Sequence, residues 1–389
     1  MTDIFDLTLK PTELERSKAL SQCISQELEK QQGVLPFSLF MELALYHPTW
    51  GYYNADQFSL GKDGDFTTAP EISPLFAACF ANQLRQVFDI LGSSAILELG
   101  AGSGKLAHDL LHYLNKLGYL PQHYYIYEIS PGLRKKQQVL LQQTQPEFFS
   151  RITWLTELPK NFIGTIIANE VLDALTVDCF QVIENGVKER CVISENNEFA
   201  WTLREFHHPL LAEKALDYAK EYFLNTGYQS EIHSALISTI PVITNSLKKG
   251  VIFFADYGYG QAEYYHPQRN HGSLTCFYQH KKHHNPLILP GLQDITAHVN
   301  FTQVIELAFE HGCQLAGYTN QASFLLINNL LNIAEQEAKT LNPVDAFNLN
   351  HAIKRLTLPT EMGERIKMMA LSKNVEIALF REHDRRRDL

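Results

Sequence analysis

The chain has 389 residues, 45% hydrophobic and 20% charged, with a net charge of −10, enough to bury one large core or two modest domains, and its acidic balance disfavours nucleic acid as a partner. No apolar run reaches the ~18 residues that read as a spanning helix, and the start "MTDIFDLTLKPTELERSKAL" has an early acid and no apolar signal core. The six cysteines are scattered without a CxxC pair, so a cytoplasmic protein with reduced, mostly buried thiols and no membrane association is expected.

Residues 1–90 alternate helix and loop. "SKALSQCISQELEKQQG" predicts a helix stopping at Gly33, and "PFSLFMELALYHP" a second, with Pro36 near its start and Pro48 past its end. A loop rich in glycine and aromatics, "GYYNADQFSLGKDGDFTTAP", leads to a helix "SPLFAACFANQLRQVFDILG", with Ser73 as N-cap and Pro74 in the first turn. Strands and helices then alternate. "AILELG", "YYIYEIS", "RITWL", "GTIIANEV" and "VIFFADYG" read as strands, "KLAHDLLHYLNKLG" and "PGLRKKQQVLLQQT" as helices. That order implies right-handed crossovers and a parallel sheet. Apolar runs without strict alternation suit strands covered on both faces.

Residues 177–203 carry two turn signals, Asn185-Gly186 and Asn196-Asn197, and read as an antiparallel meander. Residues 205–245 read as a helical insertion. Late in the chain "CQLAGYT" and "ERIKMMAL" predict two more strands around a helix "QASFLLINNLLNIAEQEAK". Three consecutive parts follow: an N-terminal helical region and lid loop over 1–90, a core over 91–260, and a C-terminal part over 261–389 that completes the sheet.

The stretch "ILELGAGSGKLAHDLL" asks which ligand its loop serves. A dinucleotide loop has Gly-x-Gly-x-x-Gly, but the glycines here are Gly100, Gly102 and Gly104, and Lys105 stands where the third would be. A P-loop begins with a glycine five positions before its Gly-Lys and continues with Ser or Thr; Leu99 and Leu106 occupy those places. What remains is an acid, Glu98, followed by a backbone stripped of side chains. S-adenosylmethionine, with an ammonium, a sulfonium and a ribose but no phosphate, fits such a loop.

In open α/β sheets ligands sit outside the carboxyl ends of the strands. The polar strand ends are Glu98 with the glycine loop, Glu128, Asn169-Glu170 and Asp256-Tyr257. Glu128 lies 24 residues past Gly104, the right distance for an acid that holds a ribose. Any one such acid is as readily a cap or a solvated turn residue; four at successive strand ends point to a cofactor crevice. "GDFTTAPEIS" places Asp65, Thr67, Thr68 and Glu71 before a helix, either as a capped loop or as a lid with Glu71 pointing in. Asp173 follows Glu170 by three residues, so both carboxylates would share one side of a helical turn. The clusters "QHKKHH" and "EFHHP" match no zinc spacing and read as exposed loops, so no metal is expected. No Gly-x-Ser-x-Gly elbow anchors hydrolase chemistry.

The sequence resembles the MidA family of class I S-adenosylmethionine-dependent methyltransferases over most of its length, through "GYYN", "GDFTTAPEIS", "ILELGAGSGKLAHDLL", "IIANEVLDALTVDCF", "FFADYGY", "LILPGLQDITAHVNF" and "GERIKMMAL". The resemblance implies a Rossmann-like class I methyltransferase sheet with an added helical region, the α/β fold already expected, with the meander besides. It implies a protein arginine methyltransferase acting on a protein substrate, with a respiratory-complex subunit as the candidate, and it makes Glu170, Asp173 and Glu71 the acids that would grip the guanidinium. Two other readings stay open: a cofactor-binding assembly factor or chaperone without turnover, and a small-molecule or RNA methyltransferase.

Overall fold

The computed structural model describes residues 9–54, 67–92 and 95–389. Asp65, placed in the expected lid, lies outside the described residues. The chain forms two compact units, each drawn from three stretches: Met1–Phe58, Thr176–Ser234 and Tyr265–Ala297 in one, Ser59–Leu175, Ala235–Tyr264 and His298–Leu389 in the other. This interleaving differs from a reading in three consecutive parts.

The larger unit is built on one sheet. Its strands run in the order Gln314–Asn320, Ile366–Lys373, Leu247–Tyr259, Phe162–Asn169, Ile96–Leu99, Tyr124–Tyr127 and Ile152–Leu155. The five from Leu247–Tyr259 to Ile152–Leu155 pair in parallel. The other two, the late strands expected from "CQLAGYT" and "ERIKMMAL", complete the edge antiparallel. The two-residue strand Val299–Asn300 adds in parallel at the end of Leu247–Tyr259.

Alternate side chains of the central strands enter different cores. Ile96, Ile167 and Phe253 pack with Phe80 and Leu84 of the Leu75–Leu91 helix and Leu110 of the Lys105–Lys116 helix. Leu97, Ile166 and Phe254 pack with Ile240 of the Leu236–Ser246 helix and Val304 of the Phe301–Glu310 helix. Burial on both faces is why these segments read as continuous apolar runs. From Ile96–Leu99 the chain steps outward to Tyr124–Tyr127 and Ile152–Leu155, then returns to Phe162–Asn169 on the other side. That reversal is the switch point at which open sheets form their crevice, and it sets the glycine loop beside Asn169 and Glu170.

Local details depart from expectation where side chains compete with the helix. "QASFLLINNLLNIAEQEAK" is two helices, Gln321–Ile327 and Leu330–Ala338. Asn329 between them takes φ +75°, a left-handed conformation that Asn tolerates, and the Asn328 amide bonds the Phe324 carbonyl at 2.9 Å. A further helix, Pro343–Thr357, is capped by Asn342, whose Oδ1 accepts from Val344 and Asp345 N–H at 3.0 Å. Pro74 takes the N-cap place of Leu75–Leu91, while the Ser73 hydroxyl accepts from the Leu75 N–H at 3.2 Å.

The smaller unit holds the meander. Strands Asp178–Ile183, Gly186–Glu195 and Glu198–Arg204 pair antiparallel, and the second turn has Asn196 and Asn197 at φ +52° and +65°, as a tight primed hairpin turn requires. Two neighbours complete the sheet: Leu35–Pro36 beside Gly186–Glu195 and Gln229–Ile232 beside Asp178–Ile183. The stretch 205–245 is therefore not a simple helical insertion. It gives helix Pro209–Glu221, this strand, and helix Leu236–Ser246 of the larger unit. "QHKKHH" is likewise no plain loop. Lys281–His283 is a strand paired with Thr275–Tyr278, and that pairing buries His283. No helix among the described residues is long and apolar enough to cross a membrane.

Candidate active site

Gly100, Gly102 and Gly104 take φ of +61°, +53° and +87°, a region that other residues enter at a cost of about 1–2 kcal/mol each. The loop is tied to the neighbouring strand by the Gly100 N–H donating to the Tyr127 carbonyl at 2.9 Å. It closes on itself through Gly104 N–H to Ala101 O at 2.8 Å and hands over to the Lys105–Lys116 helix with Gly104 at the N-cap. A Cβ on Gly100 would stand 3.0 Å from Val171 Cγ2. Glycine at this position lets the loop pack against Val171.

Glu128 follows strand Tyr124–Tyr127 and is buried. Its Oε1 accepts from Ser130 N–H at 2.9 Å and its Oε2 from the Gln137 amide at 3.0 Å. Burial pushes this carboxyl up, and those bonds hold it down. Glu98 is not at the strand end: it lies one residue inside Ile96–Leu99, buried, and accepts from the Tyr124 hydroxyl at 2.8 Å. Burial pushes its carboxyl up to about 7, opposed by that bond and reinforced by nearby Glu128. Glu98 thus sits beneath the loop, in the sheet, rather than at its rim.

At the next strand end Glu170 stands at φ +51°, rare for a residue with a side chain and a strain associated with functional sites. Its Oε1 accepts from the Ala69 N–H at 3.3 Å and from the Asn169 amide at 3.4 Å. The helical turn expected to align Glu170 and Asp173 is replaced by a left-handed residue and a non-helical turn. Asp256 organises that turn: its Oδ2 accepts from the N–H groups of Val171, Leu172 and Asp173 at 3.1, 2.8 and 3.3 Å. Asp256 and Tyr257, expected to close their strand, lie inside it, because Leu247–Tyr259 runs on past them, and Asp256 uses its carboxylate to hold the neighbouring turn.

The charges of Glu170 and Asp173 nevertheless act on a common neighbour. The Tyr257 phenol is pushed far up, first by burial and then by the charges of Glu170, Asp173 and Asp256, with Arg365 opposing. Burial and Glu170 together raise the Asp256 carboxyl well above the usual range. Glu71, on the short helix Ala69–Ile72, accepts a hydrogen bond through Oε1 from the Ser103 hydroxyl of the glycine loop. The segment carrying Glu71 therefore contacts both the loop, through Glu71, and Glu170, through Ala69.

Sequence reasoning missed Gln137 and Trp154. Gln137 is fully buried, donating to Glu128 and to the Gly102 carbonyl at 2.9 Å while its own carbonyl accepts from the Trp154 indole at 2.9 Å. The available signal was an amide in an apolar stripe: Leu133, Gln137 and Leu141 recur four apart and are the buried residues of helix Pro131–Thr144.

The smaller unit gathers a second polar group. Ligand-capable atoms of Asp178, Glu189 and His207 lie within 4.8 Å of one another, so His207 is not a plain loop histidine. Its Nδ1 pairs with Glu189 Oε1 at 2.8 Å, its N–H donates to Glu189 Oε2 at 2.8 Å, and the Ser38 hydroxyl donates to Asp178 at 2.5 Å. His207 and Glu189 thus form a hydrogen-bonded pair that joins the end of the meander to its sheet, and Asp178 beside them is held by Ser38.

Residues 79–319 match the family model of S-adenosyl-L-methionine-dependent methyltransferases. The chain is similar to the mitochondrial protein arginine methyltransferase NDUFAF7 of Danio rerio, 27% identical over 89% of this chain and 85% of the relative. With the NDUFAF7 of Homo sapiens it shares 26% identity over 88% of this chain and 81% of the relative. Among solved structures it is similar to a COG1565 superfamily member from Burkholderia thailandensis bound to S-adenosyl-homocysteine, with 36% identity, a TM-score of 0.93, and coverage of 98% of this chain and 100% of that one.

Proposed function

The chain belongs to the S-adenosyl-L-methionine-dependent methyltransferase family, and on that footing we propose that it methylates an arginine side chain of a protein substrate. The observation that carries this reading is Glu170, held at φ +51° just past its strand and beside the glycine loop, where its Oε1 accepts from Ala69 of the segment whose Glu71 bonds Ser103 of that loop. An arginine acceptor arrives charged, because its guanidinium does not deprotonate in proteins. Paired carboxylates can hold it bidentately and turn one nitrogen toward the methyl donor. Glu170 and Asp173 fill that role in the proposal, with Glu71 as a third acid whose position the Ser103 bond fixes.

The residues present fit the cofactor. The three glycines hold a left-handed loop that presents its main chain without side chains, and Glu128, an acceptor held by two donors, suits ribose hydroxyls. In this reading Gly100, Gly102 and Gly104 line the amino-acid part, Glu128 holds the ribose, Asn169 lines the cofactor side at the next strand end while its amide bonds Glu170, and Glu98 steadies the strand beneath the loop by accepting from the Tyr124 hydroxyl. Bound S-adenosylmethionine supplies a methyl group activated on a sulfonium. The protein's part is alignment and charge placement, and a carboxylate receives the proton that the methylated nitrogen gives up. The protein substrate is supported by the similarity to the NDUFAF7 protein arginine methyltransferases. A cytoplasmic setting is supported by six free cysteines, five of them buried.

Glu128→Ala should weaken S-adenosylmethionine binding at least about tenfold, because charge-assisted hydrogen bonds are worth about 1.5–3 kcal/mol each and about 1.4 kcal/mol is a factor of ten. Calorimetry on the folded variant checks this, and a loss below about twofold would move the ribose elsewhere. The arginine reading is tested by mass spectrometry of proteins from a strain lacking the gene. One methylarginine mark should vanish and return with the wild-type gene. A lost mark on another residue type, or none, would sink the arginine assignment.

A further inference from the structure

We propose that Gln137 is a positioning residue that locks the ribose acid and the glycine loop into a single acceptor-ready face. The inference rests on the reading of this crevice as the cofactor site. Gln137 has no exposed surface, and its amide is fully used. The Trp154 indole donates to its carbonyl at 2.9 Å. An indole N–H can only donate, so the carbonyl end must face Trp154 and the NH2 end must face the other way. There it meets two acceptors, the Gly102 carbonyl at 2.9 Å and Glu128 Oε2 at 3.0 Å.

Trp154 thus sets the direction of the amide, and the amide sets the polarity of the site. One of its hydrogens holds the middle glycine of the loop and the other holds the acid that follows the next strand. The same helix backbone fills the space behind the loop: a Cβ on Gly104 would touch Gln137 Cα at 3.4 Å. With Ser130 N–H on its other oxygen, Glu128 is presented as an oriented acceptor before any ligand arrives. Such preorganisation shows up as affinity, because ordering is completed before binding.

The test uses S-adenosylhomocysteine as probe, titrated by calorimetry from about pH 6 to 9, with melting curves on the same samples. Gln137→Leu should weaken binding at least about tenfold and raise the KM for S-adenosylmethionine more than it lowers kcat, since the acceptor site is untouched. Gln137→Glu has a readout that packing alone would not give. It sets two carboxyls against each other, and they must share a proton. Its affinity should therefore be nearest wild type at low pH and fall as pH rises and the pair loses that proton. Trp154→Phe frees the amide to rotate and should weaken binding several-fold, and it decides the matter with Gln137→Glu should Gln137→Leu fail to fold. Folded variants that bind within about twofold of wild type at every pH, while Gly102→Val abolishes binding, would overturn the role of Gln137. If Gly102→Val also binds normally, the cofactor reading itself has failed.

Discussion

Gly102→Val is expected to abolish S-adenosylmethionine binding and leave the protein folded. Gly102 sits at φ +53°, where a β-branched residue is a steric outlier. The left-handed conformation alone costs about 1–2 kcal/mol. Keeping it would place a branched side chain on the bare backbone, and leaving it would pull the carbonyl away from Gln137. The residue is on a loop between a strand and a helix rather than in either core, so the melting temperature should move by a few degrees at most. Calorimetry and thermal melts on one preparation check the result. Unchanged affinity would remove the loop from the cofactor site.

Glu170→Gln is expected to leave cofactor affinity near wild type and to lower the rate of methyl transfer by about 10²–10³-fold, the scale seen when one charge-stabilising group is removed from an active site. The substitution is nearly isosteric and keeps the oxygen that accepts from Ala69 and Asn169, so the contact with the Ala69–Ile72 helix survives. What it removes is the negative charge. If Glu170 serves only to tie that helix down, its loss costs about 1 kcal/mol at most, as caps do, and folded enzyme turns over normally. A stable, cofactor-loaded, inactive variant keeps Glu170 in the acceptor site; a stable variant with normal turnover takes it out.

The parts of this site that were legible in the sequence are those whose chemistry is local. Three alternate glycines declare a backbone stripped of side chains, and the structure holds all three in the left-handed region. Apolar runs ending in polar residues declare strands buried on both faces, and the sheet has them in the expected parallel core. What stayed hidden depends on long-range partners. Nothing near Gln137 in sequence announces Gly102, Glu128 and Trp154. "NEVLDAL" has helical spacing, yet Asp256, distant in sequence, draws three of its N–H groups into a different turn. Gln229–Ile232 has no alternation of its own and is a strand because Asp178–Ile183 offers it an edge, the usual dominance of context over β-propensity. The interleaved units arise in the same way, from contacts that ignore chain order.

The central claim, an S-adenosylmethionine-loaded crevice whose acids present an arginine, is tested most directly by label transfer. Purified enzyme and S-adenosylmethionine labelled in its methyl group would be incubated with proteins from a strain lacking the gene, followed by acid hydrolysis and separation of the amino acids. The account predicts label in methylarginine with wild type and with Gln137→Glu at low pH, and almost none with Gly102→Val or Glu170→Gln. Label in another amino acid, label only in small molecules, or equal label from Glu170→Gln would contradict it.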